Sequence, residues 1–263
     1  MKLKTPDKYT SVAILLLSAS AILFSISLII DPEDITTAAF VFSGMICALT
    51  GIFTFAFSGS EVPLPWLFGI LRAQETLNLC SIKHHLGIQG KAYFLPPSVT
   101  GEAKVMQFNP NSTYDGKHGS EKGSFREKGP AGLVISPSCD LLIQDLRKRN
   151  ALVIPDNKEG ITCLLRETIE DVFMFAQRVS VSWHGERVTI TLHTYPAIDG
   201  CNIIMQKSAK CCTMNPCPVC SLCGTLIAEG INKIVAFEGC SVSSSSKDIS
   251  AVFSILPSTD SNP

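Results

Sequence analysis

The stretch Cys217–Leu256 reads CPVCSLCGTLIAEGINKIVAFEGCSVSSSSKDISAVFSIL. Three cysteines open it, a run of small and apolar residues follows, and two apolar segments flank the polar turn Ser243 to Ser246. Proline is favoured at the first position of a helix, so Pro218 sets Cys217 as the N-cap and Leu222 to Gly230 as the helix body. The segments on either side of the serine turn have strand composition. One helix followed by a strand pair is the signature of an α+β domain rather than of a bundle or a sandwich.

Outward from this stretch, the period switches twice. Gly160 to Gln177 carries Ile161, Leu164, Leu165, Val172, Phe173 and Ala176 on one face and Arg166, Glu167, Glu170 and Asp171 on the other, the pattern of an amphipathic helix. These carboxylates read as a solvated helix face. Val179, Val181 and Trp183 then alternate with Ser180 and Ser182, and Val188, Ile190 and Leu192 alternate with Thr189 and Thr191. With His184-Gly185-Glu186 between them, they predict a β-hairpin. His184 and His193 are expected to face solvent. Asn202 to Met205 reads as a short strand leading to the cysteines. Further upstream, Lys91 to Leu95 and Lys104 to Phe108 read as strands around the turn Pro96–Gly101. Leu133 to Ile135 reads as a third strand, and Asp140 to Lys148 as a helix. Residues 110–130 are rich in Gly, Ser and Lys and predict a mobile loop. Gly116-Lys117-His118-Gly119 lacks the spacing of a phosphate loop.

The N-terminus is different in kind. Ser11 to Ile30 and Thr36 to Phe57 carry no charged residue. Each is about 20 residues, enough for a helix to cross the roughly 30 Å hydrocarbon core of a bilayer. A signal peptide is the rival reading of the first segment, but Ser18-Ala19-Ser20-Ala21 lies inside the apolar run, not after it. The loop Asp31-Pro32-Glu33-Asp34 is acidic, while Lys2, Lys4, Lys8, Arg72 and Lys83 lie outside the hairpin. The positive-inside rule then places both termini and the main domain in the cytoplasm of an integral membrane protein. The expected organisation is a transmembrane hairpin over 1–58 (helices 11–30 and 36–57) and a juxtamembrane amphipathic helix within 59–86, starting near the interfacial Trp66. A single mixed α+β domain over 87–256 and a disordered tail over 257–263 follow.

The 263 residues are 46% hydrophobic and 17% charged, with a net charge of -1. No basic stripe is present, so nucleic acid is not an expected partner. The expected partners are the lipid bilayer and either a small-molecule ligand or another membrane protein. No Ser-His-Asp order, dinucleotide fingerprint or paired carboxylate motif marks a hydrolase or a dehydrogenase, and a non-enzymatic role is favoured.

Eleven cysteines, an odd number on the expected cytoplasmic side, favour thiols over disulfides. A thiolate at Cys217 would face the unpaired N–H groups and positive dipole of a helix start, which lower its pKa. Cys220 lies one turn on. Cys223, six helical residues from Cys217 and so about 9 Å along the axis, is expected to be a core thiol. The candidate metal-ligating set is Cys217 and Cys220 with Cys240, Cys211 and Cys212, with zinc as the cofactor considered. A dithiol redox pair, Cys217 and Cys220, and ordinary buried thiols are the competing readings.

Cys217 to Leu256 resembles the C-terminal part of 4-vinyl reductase domains, an α+β small-molecule-binding family. The matching positions are Cys217 or Cys220 before the helix, Gly224 within it, and Glu238 with Cys240 after it. The family's last cysteine falls on Ala251, and Ser243 to Ser246 replaces its glycine–acid turn. The whole layout is similar to a family of membrane proteins of methanogenic archaea. They share a transmembrane hairpin, an LPPS-x-x-G segment (Leu95 to Gly101) and a CPxCS segment (Cys217 to Ser221). The archaeal resemblance implies the architecture and not a reaction; the tether, the cysteine run and the tail resembling 4-vinyl reductase domains together lead to the expectation of a membrane-anchored sensor or adaptor that binds a small molecule or a metal. A thiol-disulfide oxidoreductase and a ligand-free interaction module are the alternatives.

Overall fold

The computed structural model describes residues 8–29, 35–58, 65–112, 114, 131–149, 152–243 and 245–257. Most of the loop expected over 110–130 and of the tail expected over 257–263 lies outside the described residues. The chain divides into two compact units, Met1–Leu64 and Pro65–Pro263.

The first unit holds α1 (Lys8–Ser27) and α2 (Ile35–Ser58). Small residues let the two helices approach. A Cβ on Gly51 would meet Leu17 at 3.0 Å, and the buried Ser20 hydroxyl donates to the Gly44 carbonyl at 2.9 Å. Their outer faces show large apolar side chains such as Leu15, Phe42 and Phe53, the reverse of a helix that packs its apolar face on a water-soluble core. By length and composition, two helical stretches among the described residues are long and apolar enough to cross a membrane, Thr36–Ala56 and Ile198–Ile231. Only 11% of the first is buried. The second is 83% buried and forms the core of the other unit. Ser11–Ser27 is apolar and shorter.

The second unit is α+β. It begins with α3 (Pro65–His85). Next come β1 (Tyr93–Leu95), the single turn α4 (Pro97–Thr100), β2 (Met106–Pro110) and β3 (Gly132–Ile135). Then follow α5 (Asp140–Lys148), α6 (Lys158–Arg166) and the hairpin β4 (Arg178–His184) with β5 (Arg187–His193). The chain closes with α7 (Ile198–Met214), α8 (Pro218–Ile231), β6 (Val235–Ser243) and β7 (Asp248–Ile255). The strands form one sheet in the order β3-β2-β1-β6-β7-β5-β4, and every neighbouring pair is antiparallel. Phe94, Phe237 and Phe253 point from the sheet into the core, where they meet Leu222, Leu226 and Ile227 of α8. Gly224 is required there, because a Cβ would lie 2.2 Å from the Phe94 ring.

The hairpin is paired as its alternation predicts, with Val181 opposite Ile190. Two expectations need correction. Asn202 to Met205 is not a strand but part of α7. Short apolar runs fit either period, and packing against α3 decides this one. Gly69 and Gly200 meet so closely that a Cβ on Gly200 would lie 2.2 Å from the Gly69 oxygen. The helix expected through Gln177 ends earlier. After Arg166 it widens into a π-helical turn over Glu167–Val172, and Met174 then takes a positive φ of 51°. The amphipathic helix, read from sequence as either lying on the membrane or packing on the domain, is α3 and packs on the domain. Lys83, 1% exposed, anchors it by donating to Asn109 Oδ1 at 2.8 Å and to the Met214 carbonyl at 3.2 Å.

Candidate functional site: a thiol cluster at the start of α8

Pro216 and Pro218 stop α7 from running straight into α8. Cys217 therefore takes an extended N-cap conformation (φ -61°, ψ 163°), and its sulfur accepts the Cys220 backbone N–H at 3.5 Å. The N-cap assignment read from Pro218 stands. Upstream, α7 is itself bent. Ser208 has non-helical angles (φ -167°, ψ 101°), so its two halves present Cys201 and the pair Cys211-Cys212 separately. On the sheet side, a bulge between Phe237 and Gly239 precedes Cys240.

Four of the five cysteines singled out from sequence converge here. Cys212 and Cys240 stand sulfur to sulfur at 3.2 Å. Cys217 and Cys220 are close enough to them for their charges to interact. Cys201, which sequence reasoning passed over, joins the group through Cys217 and Cys240. Cys211 does not join it. It forms a disulfide with Cys80 of α3, Cα to Cα 5.4 Å, which corrects the expectation that all the cysteines are thiols. Cys223 is a core thiol, 1% exposed, as its distance along the helix required. Cys139, buried beside Ser221 and Thr225, is likewise a core thiol.

The electrostatics single out Cys217. A hydrogen bond from the Cys220 thiol, the N–H groups of Cys220 and Val219, and the charge of Arg72 outweigh burial and bring its pKa down to about 7. The same hydrogen bond, with burial, pushes Cys220 up. Cys212 is pushed up by its hydrogen bond to Cys240 and by burial, and Cys201 mainly by burial. Cys217 is therefore the thiol drawn toward the thiolate form, while Cys201, Cys212 and Cys220 are held toward the neutral form. Cys201, Cys217 and Cys240 are partly exposed; Cys212 and Cys220 are buried.

Zinc would need sulfurs within roughly 4 Å of one another around one centre. The pair Cys212 and Cys240 satisfies that, but among the described residues no group of three or more His, Cys, Asp or Glu is arranged to hold a metal ion. The donors do not fit a ready-made zinc centre.

Tyr195 connects the cluster to open space. It is 8% exposed, is held high in pKa by burial and by the thiols around it, and lines a cleft of about 470 Å³. Glu170, Asp199 and Lys247 supply polar groups to this cleft and Ile198 an apolar one. Three of its lining residues, Met174, Thr194 and Lys247, are non-glycine residues with positive φ. Such strained positions and π-helical turns concentrate at functional sites.

One further constellation was invisible in the sequence order. Ser180 Oγ lies 3.0 Å from His193 Nε2, and His193 Nδ1 lies 3.1 Å from Asp248 Oδ2. These are the contacts of a nucleophile–base–acid relay, and they replace the solvent-facing reading of His193. The three sit on strands β4, β5 and β7, beside the Thr191–Ser250 hydrogen bond. The three clefts described here are not lined by Ser180 or His193. The relay ties three strands together.

No family model, no curated protein and no solved structure matches this chain.

Proposed function

We propose that this protein is a membrane-anchored sensor or adaptor, whose α+β domain binds a small molecule in the cleft beside Tyr195 and reads it through the thiol cluster. One observation carries this reading: four cysteines, Cys201, Cys217, Cys220 and Cys240, lie around Tyr195 at a helix start, and Cys217 among them is drawn toward the thiolate form. A buried aromatic wall, a few convergent polar groups and a cleft within the roughly 300–1,000 Å³ of ligand sites suit a small organic molecule. The resemblance of Cys217 to Leu256 to 4-vinyl reductase domains supports the same reading, as does the apolar hairpin for the membrane anchor.

Native mass spectrometry of the full chain, released from detergent micelles, tests it. The reading expects a bound mass on the wild type that Cys217→Ser and Tyr195→Ala lose. Bare protein of unchanged stability, or a bound mass indifferent to both substitutions, contradicts it.

A second reading is thiol-disulfide exchange. Cys217 would attack a substrate disulfide as thiolate, one substrate sulfur would leave as a thiolate, and Cys220, after losing its proton, would then displace the other. The opposed pKa shifts of this pair favour it. The two sidedness signals pull apart: the basic residues around the hairpin favour a cytoplasmic domain, while the Cys80–Cys211 bond favours an oxidising compartment. Mass mapping of that bond in membranes lysed into alkylating agent decides. Free thiols there keep the domain in the cytoplasm, and an intact bond puts it outside.

A further inference from the structure

A second cleft, of about 370 Å³, opens between α3, the strands β2 and β3, and the turn joining α7 to α8. Its lining includes Arg72, Gln107 and Asn215, with Leu79, Ile82 and Ile135 as apolar walls. Among the described residues, four buried side-chain polar atoms have no hydrogen-bond partner in the protein: Arg72 Nε, Gln107 Oε1, and both Nδ2 and Oδ1 of Asn215. All four belong to residues lining this cleft. Gln107 is 2% exposed and Asn215 6%, so these are not groups left to bulk solvent. Buried polar atoms are paired with few exceptions, and a concentration of exceptions in one concave place calls for a cause.

The neighbouring polar groups are engaged with one another. Gln107 Nε2 donates to Asn109 Oδ1 at 3.0 Å, and Asn109 Nδ2 donates to the Met214 carbonyl at 2.9 Å. Lys83 donates to the same two acceptors. That network uses the Gln107 amide nitrogen and leaves its carbonyl oxygen without a partner. The Asn215 backbone is held as well, its N–H donating to the Cys211 carbonyl at 2.9 Å. Its carboxamide offers one donor and one acceptor side by side in either orientation of the group.

We infer that this cleft binds a small, flat, neutral heterocycle by a cyclic-amide edge of the kind a nucleobase carries. Asn215 would take the adjacent N–H and C=O of that edge in a pair of hydrogen bonds, the geometry by which Asn and Gln read base edges. Gln107 Oε1 accepts a further N–H, and Arg72 Nε donates to a further acceptor on the ring. The ring faces lie against Leu79, Ile82 and Ile135. A neutral ligand follows from the charge balance, since the Arg72 guanidinium is already paired with Glu75 at 2.8 Å. A volume near the lower end of ligand pockets, roughly 300–1,000 Å³, suits one or two rings. This site rests on residues other than the thiol cluster.

The test is binding of uridine and guanosine to the full chain in nanodiscs, each compared with its counterpart methylated on the edge nitrogen (3-methyluridine, 1-methylguanosine). The inference expects saturable binding of at least one parent and an affinity at least tenfold lower for its methylated form. Asn215→Asp, which keeps the side-chain shape and loses the donor, should weaken the parent at least tenfold with an unchanged melting profile. Cys240→Ser, at the thiol cluster, should leave it unaltered. If Asn215→Asp melts early, Arg72→Lys, which keeps the charge and removes the Nε donor, replaces it with the same expectation. The inference is overturned by absence of saturable binding of both parents in the millimolar range, by methylated forms that bind as well as the parents, or by equal losses in Asn215→Asp and Cys240→Ser.

Discussion

The Cys217 thiol gives the sharpest prediction, because its ionisation depends on named neighbours. With its pKa at about 7, half of Cys217 is thiolate at neutral pH. A free thiol with pKa about 8.5 is about 3% ionised there, roughly fifteenfold less. A thiolate of lower pKa is also a weaker nucleophile, with a Brønsted slope of about 0.4–0.5, which cancels about a factor of five. The net rate advantage is therefore only about threefold, and the pH midpoint is the better observable. Short pulses of iodoacetamide across the pH range, read by mass spectrometry of the Cys217 peptide, give that midpoint in the folded full chain. The exposed Cys163 in the same samples provides the reference. The wild type should show half-maximal labelling near pH 7. Cys220→Ala removes the thiol that donates to Cys217, the largest lowering influence, and should move the midpoint up toward 8.5. Because the folded pKa is depressed, the stability contributed by this thiolate is complete above the unfolded pKa. It is lost as pH falls through about 7. A wild-type midpoint at the free-thiol value, or one indifferent to Cys220→Ala, would refute the reasoning.

Two further predictions concern the scaffold. Gly200→Ala places a Cβ 2.2 Å from the Gly69 oxygen, and backbone cannot move aside as a flexible side chain can. Chemical denaturation should show a loss of about 3 kcal/mol, the upper end of overpacking costs, whereas an unchanged midpoint would contradict the close α3–α7 crossing. Lys83 has its pKa lowered to about 8 by burial. Below pH 8 both folded and unfolded chains hold the proton and the burial cost is fully present. From there to the unfolded value of about 10.4, only the unfolded chain holds it, so stability from this group rises with pH. The stability difference between wild type and Lys83→Met should thus shift toward the wild type by about 2–3 kcal/mol between pH 7 and pH 10; a difference constant across that range would be the contrary result.

Local chemistry was legible in the sequence, and long-range chemistry was not. Pro218 announced the start of α8 and Cys217 as its cap because both depend only on neighbours in the chain. The β4–β5 hairpin followed from strict alternation. The helix identity of Asn202 to Met205 depends on Gly69, far away in sequence, and no local period reveals it. The same holds for the site. Cys217 and Cys220 are a local pair; Cys212 and Cys240 were named with them from sequence, but Cys201 was not, and the choice of Cys212 over Cys211 depends on the Cys80–Cys211 bond and on the path of α7 and β6. The Cys80–Cys211 bond spans 131 residues, and the Ser180–His193–Asp248 relay needs three strands in register. Tyr195 carried no sequence signal, though its place directly after the hairpin and before the cysteine-bearing helix is where one would look.

Occupancy of the thiol cluster in the native membrane tests the central claim most directly. Membranes carrying the full chain are pulsed with an alkylating agent before and after solubilisation and dialysis in detergent, and labelling is read at Cys201, Cys217 and Cys240. The account predicts protection of these three thiols in the membrane, lifted by dialysis, while the exposed Cys163 labels equally in both. Equal labelling of the cluster before and after dialysis, in folded protein, would contradict it.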